Sequence, residues 1–194
     1  MPLLAIKPAH VTLLGLGGGA LVHSLFHTLP DTKIDVVELR QAVIDVAQDE
    51  FFLPASERIC IHCSSAEVYV SSAIAGSVEL LLCDLFDASE ASATQLDTVF
   101  YQRCKLLLAQ NGWIAMNYHQ LPSFEHPAIR ALCNHFESVF VCVVASGNWV
   151  VLATNSAIAR DNSWQRMQQP IAPLRRQLAF HSHRLIRVEL GDNK

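Results

Sequence analysis

Apolar and polar positions fall in blocks along this chain, and the blocks alternate between two periods. Residues 11–15 are a short aliphatic run that predicts a buried strand. In the stretch that follows, Leu21, Leu25, Phe26 and Leu29 stand at helical spacing. Residues 33–39 predict a second strand. Residues 40–52 predict a second helix, with Val43, Ile44, Ala47 and Phe51 on one face. Residues 58–63 read as a third strand, and Ser64 or Ser65 can cap a third helix that ends at Gly76. Residues 78–84 are aliphatic almost throughout, as a strand covered on both faces must be. A long helix over 94–112, stopping at Asn111-Gly112, and a fifth strand over 113–118 complete the series.

Strand–helix alternation of this length implies a parallel sheet with helices on both faces. The expected class is therefore doubly wound α/β. The ending departs from it. Residues 138–154 hold two strand-like runs around Ser146-Gly147-Asn148, and a connection that short makes an antiparallel hairpin. The expectation is a seven-stranded, mainly parallel sheet that finishes with one reversed strand. Beyond Thr154, the segment over 170–190 predicts a short helix and a final extended piece.

Composition sharpens this picture. With 194 residues, 51% hydrophobic and only 16% charged, the chain suits one well-cored domain. No apolar run approaches the roughly 20 residues of a membrane span, and the expectation is a cytoplasmic protein without a signal peptide. Charge divides the chain in two. Residues 1–159 carry a net −8, residues 160–194 a net +4. The first span reads as the α/β domain and the second as a basic appendage. The appendage docks on that domain, on a second copy in a homodimer, or on an acidic partner. An acidic body argues against a nucleic-acid binder. Five cysteines, Cys60, Cys63, Cys83, Cys133 and Cys142, sit in or beside apolar segments and read as buried free thiols. Cys60-x-x-Cys63 has the spacing of a redox or zinc pair, but residues three apart on a strand face opposite ways. No metal is expected. His181-x-His183 lacks a third ligand and makes a poor metal site.

The chemistry concentrates in "LLGLGGGALV". Gly15, Gly17 and Ala20 fit G-x-G-x-x-G/A between a strand and a helix, in the turn that faces the ligand crevice of a doubly wound sheet. Gly15 turns the chain, Gly17 lets a ligand lie against bare backbone, and Ala20 lets helix and strand pack closely; a turn with spare glycines is the plain alternative. Glu38 ends the second strand, where an acid accepts hydrogen bonds from ribose hydroxyls. NAD enzymes and S-adenosylmethionine enzymes share this loop and this acid. The later layout separates them: a strand ending in Asp84, a long helix, "NGWIAMN" and a terminal hairpin follow class I methyltransferases. His119 follows the fifth strand at the crevice edge and can assist proton transfer or be an ordinary surface histidine. Tyr118 stacks on substrate or packs, and Trp149 reads as core or interface.

Four stretches, "VTLLGLGGGALV", "IDVVELRQAVIDVAQDEFFLP", "VELLLCDLFDA" and "FYQRCKLLLAQNGWIAMN", resemble the spermidine synthase-like (polyamine aminopropyltransferase-like) family within that methyltransferase fold. The resemblance implies a transferase that takes an aminopropyl or methyl group from S-adenosylmethionine or its decarboxylated form and gives it to an amine or polyamine. It implies donor contacts at Gly15, Gly17, Gly18, Glu38, Ser65, Ala66 and Asp84. Catalysis would rest on Asp84 and Asp87, the first near the attacking amine and the second holding the acceptor. The family carries an acid where this chain has Gly18, which favours a donor that keeps its carboxylate. It also carries an acid for the adenine amine where this chain has Ser65 and Ala66. Ten residues precede Val11, so the expectation is a chain without the family's N-terminal β-domain. A nucleoside-binding or assembly module that has lost turnover is the alternative of a different class.

Overall fold

The computed structural model describes residues 7–86, 93–121, 123, 125–143, 147–157 and 184–188. Five parallel strands form its first half: β1 (His10–Leu14), β2 (Lys33–Glu38), β3 (Ile59–Cys63), β4 (Val78–Cys83) and β5 (Leu108–Tyr118). The strands β6 (Ser138–Val143) and β7 (Trp149–Thr154) pair antiparallel as the expected hairpin. The second strand of that hairpin inserts between β5 and the first, so β7 runs against both of its neighbours and β6 runs with β5. An eighth strand, β8 (Arg184–Arg187), comes from the basic appendage and pairs antiparallel with β6. The order across the sheet is β3-β2-β1-β4-β5-β7-β6-β8. The seven predicted strands are all present, and the predicted final extended piece is the eighth. Residues 158–183, which include His181 and His183, and residues 189–194 lie outside the described residues.

Each face of the sheet carries its own core. Helices α1 (Ala20–Thr28) and α2 (Gln41–Asp49) bury Val22, Leu25, Ile44 and Ala47 against one face. Helices α3 (Ala66–Ser72), α4 (Thr98–Leu107) and α5 (Pro127–His135) cover the other with Val70, Phe100, Tyr101, Leu107 and Leu132. Fully buried strand residues such as Leu13, Leu14, Leu80 and Leu81 account for the continuous apolar runs, because the two sides of each strand meet different helices.

Four expectations are corrected. The long helix over 94–112 is a 3₁₀ turn (Ala93–Leu96) followed by α4, which Asp97 caps by accepting from the Val99 N–H at 3.0 Å. Asn111-Gly112 lies inside β5, beside a register shift against β4 between Val78 and Leu80, and does not stop a helix. The helix α2 ends at Asp49, leaving Phe51 half exposed on the loop that follows. Cys60 and Cys63 are exposed, because β3 is the edge strand. Cys83 and Cys104 are the buried pair, and burial raises both thiols far above the usual cysteine range. A maleimide is therefore expected to label Cys60 and Cys63 in the native protein but Cys83 and Cys104 only after denaturation, as peptide mass spectrometry would read.

Candidate functional site

The strand order places β1 between β2 and β4, so the turn after β1 lies between the ends of two acid-terminated strands. The turn is pinned to both neighbours. The Gly15 N–H donates to the Val37 carbonyl at 2.8 Å, and the Asp84 N–H donates to the Leu14 carbonyl at 2.8 Å. Gly15 has φ +94°, and a side chain there would run into the Asp84 carbonyl oxygen. Its absent side chain thus serves the junction of β1 with β4. At Gly17, φ is +54° and nothing stands within 4 Å of the place a Cβ would take. That backbone faces open space, as the ligand-facing glycine of such a turn must.

The open space is a cleft of about 410 Å³, within the range of small-molecule sites, roughly 300–1,000 Å³. Gly15, Gly17, Glu38, Ser65, Ala66 and Asp84 all line it. Gly18 does not. It faces the Phe51 ring, 3.7 Å from where its Cβ would lie, and His23 fixes that segment by donating from Nε2 to the Phe51 carbonyl at 3.0 Å. Asp87 lies outside the described residues.

Glu38 is only 7% exposed. Its Oε2 accepts from the Leu16 N–H at 3.2 Å and its Oε1 from the Arg40 N–H at 3.0 Å. The carboxylate therefore ties the glycine turn to the end of β2. A carboxylate offers about four lone-pair positions, so each oxygen keeps one for a further donor such as a ribose hydroxyl. Ser65 caps α3, its Oγ accepting from the Val68 N–H at 3.2 Å, and its hydroxyl donates to the Glu67 carboxylate.

Asp84 heads a chain of side chains. Its Oδ1 accepts from Asn117 Nδ2 at 2.8 Å, Asn117 Oδ1 accepts from Asn148 Nδ2 at 3.1 Å, and Asn148 Oδ1 stands 3.2 Å from His119 Nδ1. Each amide presents its nitrogen to one neighbour and its oxygen to the next, which makes His119 Nδ1 the donor. The His119 ring packs against Phe86, a cleft-lining residue, at 4.4 Å between centroids. Among the described residues no side chain donates to Asp84 Oδ2. This arrangement joins β4, β5 and β7 at the crevice edge.

Tyr118 is fully buried and donates its hydroxyl to the Gln95 carbonyl at 3.0 Å, so it packs. Trp149 is partly buried against the core on the α3–α5 side. Sequence reasoning missed Glu67, a cleft-lining acid in the first turn of α3. A hydrogen bond from the Thr94 hydroxyl is the main cause holding its carboxyl below the usual range. Its signal was available two positions beyond Ser65, in the first turn of a predicted helix. Asn117 and Asn148 were also missed. They sit on strands far apart in the chain, and only the insertion of β7 beside β5 brings them together.

A sheet in the order β3-β2-β1-β4-β5-β7-β6, with a glycine turn after β1 and an acid at the ends of β2 and β4, has the layout of the Rossmann-like methyltransferase fold. No protein-family model matches the chain. The chain is similar to the polyamine aminopropyltransferase of Vibrio vulnificus, 25% identical over 171 residues that cover 86% of this chain and 57% of that protein. It thus spans little more than half the length of that relative. Among solved structures, it superposes on a probable spermidine synthase from Corynebacterium glutamicum with a TM-score of 0.75, at 18% identity over 92% of this chain and 66% of that one. It also superposes on human methyltransferase-like protein 13 in complex with SAH, with a TM-score of 0.73 at 20% identity over 86% and 82%. The fold is that of the Rossmann-like methyltransferases, and the resemblance to the spermidine synthase-like family holds.

Proposed function

We propose that the cleft binds a sulfonium nucleoside, S-adenosylmethionine or its decarboxylated form, and that the chain transfers an alkyl group from it to an amine. The observation that carries this reading is the convergence of Glu38 and Asp84 on one cleft, with the bare Gly17 backbone between their strands. Glu38 would hold the ribose hydroxyls. Ser65, Ala66 and Glu67 at the start of α3 would meet the base, with the Glu67 carboxylate accepting from an exocyclic amine. The names of the relatives support a transferase, and the SAH held by the human neighbour supports an adenosyl ligand.

The acceptor amine is protonated near neutral pH and must lose that proton to attack. Asp84 Oδ2 would take it and pass it to water in the open cleft, so that the side chain is a carboxylate again when the amine attacks. The amine nitrogen then bonds to the carbon next to sulfur, and the C–S bond breaks with its electron pair staying on sulfur as a neutral thioether. Positive charge ends on nitrogen, beside the Asp84 carboxylate. Likeness to aminopropyltransferases favours the aminopropyl group. The glycine turn, which brings no acid at Gly18, favours the donor that keeps its carboxylate.

Calorimetry tests the reading. At least one sulfonium donor is expected to bind, and NAD is not. Glu38→Gln should weaken the donor about 10–100-fold, since hydrogen bonds to a charged group are worth about 1.5–3 kcal/mol. Absence of binding by both sulfonium donors ends the proposal. Mass spectrometry of products from putrescine, spermidine and protein extracts then separates aminopropyl from methyl transfer. A bound donor with no product from any of them favours a module without turnover.

A further inference from the structure

A second cluster lies on the α3 side of the sheet, away from the cleft. Asp35 on β2 and Cys60 on β3 are register partners, and His62 stands two residues beyond Cys60 on the same strand face. One ligand atom from each, a carboxylate oxygen, a thiol sulfur and an imidazole nitrogen, lies within 4.8 Å of the others. In a tetrahedral zinc shell, with bonds of about 2.0–2.3 Å, such atoms sit roughly 3.3–3.8 Å apart. Side-chain rotation on an edge strand supplies the difference.

The surroundings are those of a metal site as well. Asp35 Oδ1 lies 3.0 Å from His62 Nε2, while Oδ2 lies 2.6 Å from His10 Nε2 and accepts from the Tyr69 hydroxyl at 3.1 Å. His10 is anchored through Nδ1 to the Ser77 carbonyl at 3.0 Å. Its two ring nitrogens both stand at hydrogen-bond distance from oxygen atoms, which makes it an outer partner that aims the carboxylate. Metal-binding carboxylates are commonly held in this way. The His62 ring packs on Tyr69 at 5.0 Å between centroids. Cys60 is exposed, so an ion and a completing water have access.

We propose that Asp35, Cys60 and His62 bind a divalent ion of the zinc class, with His10 and Tyr69 holding the carboxylate from outside. One thiolate, one carboxylate and one neutral imidazole balance a 2+ charge, and sulfur in the set selects zinc or cobalt over magnesium and calcium. Binding releases the thiol proton to solvent. The ion would tie the edge strand β3 to β2, just before the turn where the Ser64 N–H donates to the Glu38 carbonyl at 3.0 Å. The pair suggested by the sequence, Cys60 with Cys63, is not this site. The ligands are Cys60-x-His62 and an acid on the neighbouring strand.

The test uses the whole reduced chain, stripped of metal. One equivalent of Co²⁺ should give a thiolate-to-cobalt charge-transfer band in the near ultraviolet, and Zn²⁺ should displace it. Cys60→Ser and His62→Ala should lose the band, Cys63→Ser should keep it, and His10→Ala should weaken binding roughly 10–100-fold. Zinc should also protect Cys60, and not Cys63, from maleimide in the unmutated protein, a readout that needs no variant to fold. Absence of the band, its survival in Cys60→Ser, or equal zinc protection of both cysteines overturns the proposal. None of these readouts depends on donor binding.

Discussion

Asp84→Asn is expected to abolish alkyl transfer while donor affinity stays close to that of the unmutated protein. The substitution keeps the shape of the side chain and an oxygen that can still accept from Asn117 Nδ2, so the chain through Asn117, Asn148 and His119 stays in place. Two things are lost. No carboxylate remains to take the proton from the amine, a loss of about 10²–10⁴ in rate for a positioned base. No negative charge remains beside the nitrogen as it becomes cationic. A pair of unit charges at about 4 Å is worth roughly 4 kcal/mol at an effective dielectric of 20. The two losses overlap, because one group supplies both, and a fall of about 10³ in single-turnover rate is the expected result. Calorimetry on the same preparation should show donor binding intact. Turnover within about tenfold of the unmutated chain would remove Asp84 from the role of base.

Periodicity made the sheet legible because each core strand is covered on both faces and each helix on one. It does not say where in the sheet a strand sits. Cys60 and Cys63 were therefore read as buried from their apolar neighbours, whereas β3 forms the sheet edge and leaves both exposed. The helix α5 escaped notice for a local reason. It begins with His126 accepting from the Ala128 N–H, and histidine is not among the usual capping residues. The terminus of α4 was misplaced because Asn-Gly is a strong stop signal. Here the backbone turns extended at Leu108, and the register shift against β4, from Val78 opposite Leu108 to Leu80 opposite Trp113, takes up the extra residues that hold Asn111-Gly112.

The candidate site was legible where a single residue at a strand end lines the cleft. Glu38 and Asp84 could be placed from the strand pattern alone. The partners of Asp84 could not, since Asn117, His119 and Asn148 meet only through strand insertion. The ribose role proposed for Glu38 follows from its place at a strand end, but its structural role could not be read there: it accepts from the Leu16 and Arg40 N–H groups, so this acid shapes the turn itself.

The two glycines at the start of the turn, Gly15 and Gly17, should separate folding from binding more sharply than any other pair of substitutions. Gly15→Ala places a methyl group on the Asp84 carbonyl oxygen at a φ of +94°. Left-handed backbone costs a residue with a Cβ roughly 1–2 kcal/mol, and overpacking against fixed backbone costs about 1–3 kcal/mol more. The obstacle is main chain at the junction of β1 and β4, so no side chain can swing aside. A loss of about 2–5 kcal/mol is a large share of a typical domain stability of about 5–15 kcal/mol, and urea unfolding should show it directly. Gly17→Ala carries a similar conformational cost at φ +54° but meets nothing within 4 Å. It should lose only about 1–2 kcal/mol of stability. Its methyl group instead takes space in the cleft, where the nucleoside would lie against the backbone, and donor binding should fall steeply in a protein that remains folded. If Gly17→Ala binds the donor as well as the unmutated chain does, the ligand does not approach that backbone. If Gly15→Ala is as stable as Gly17→Ala, the contact between Gly15 and Asp84 is not what joins the two strands.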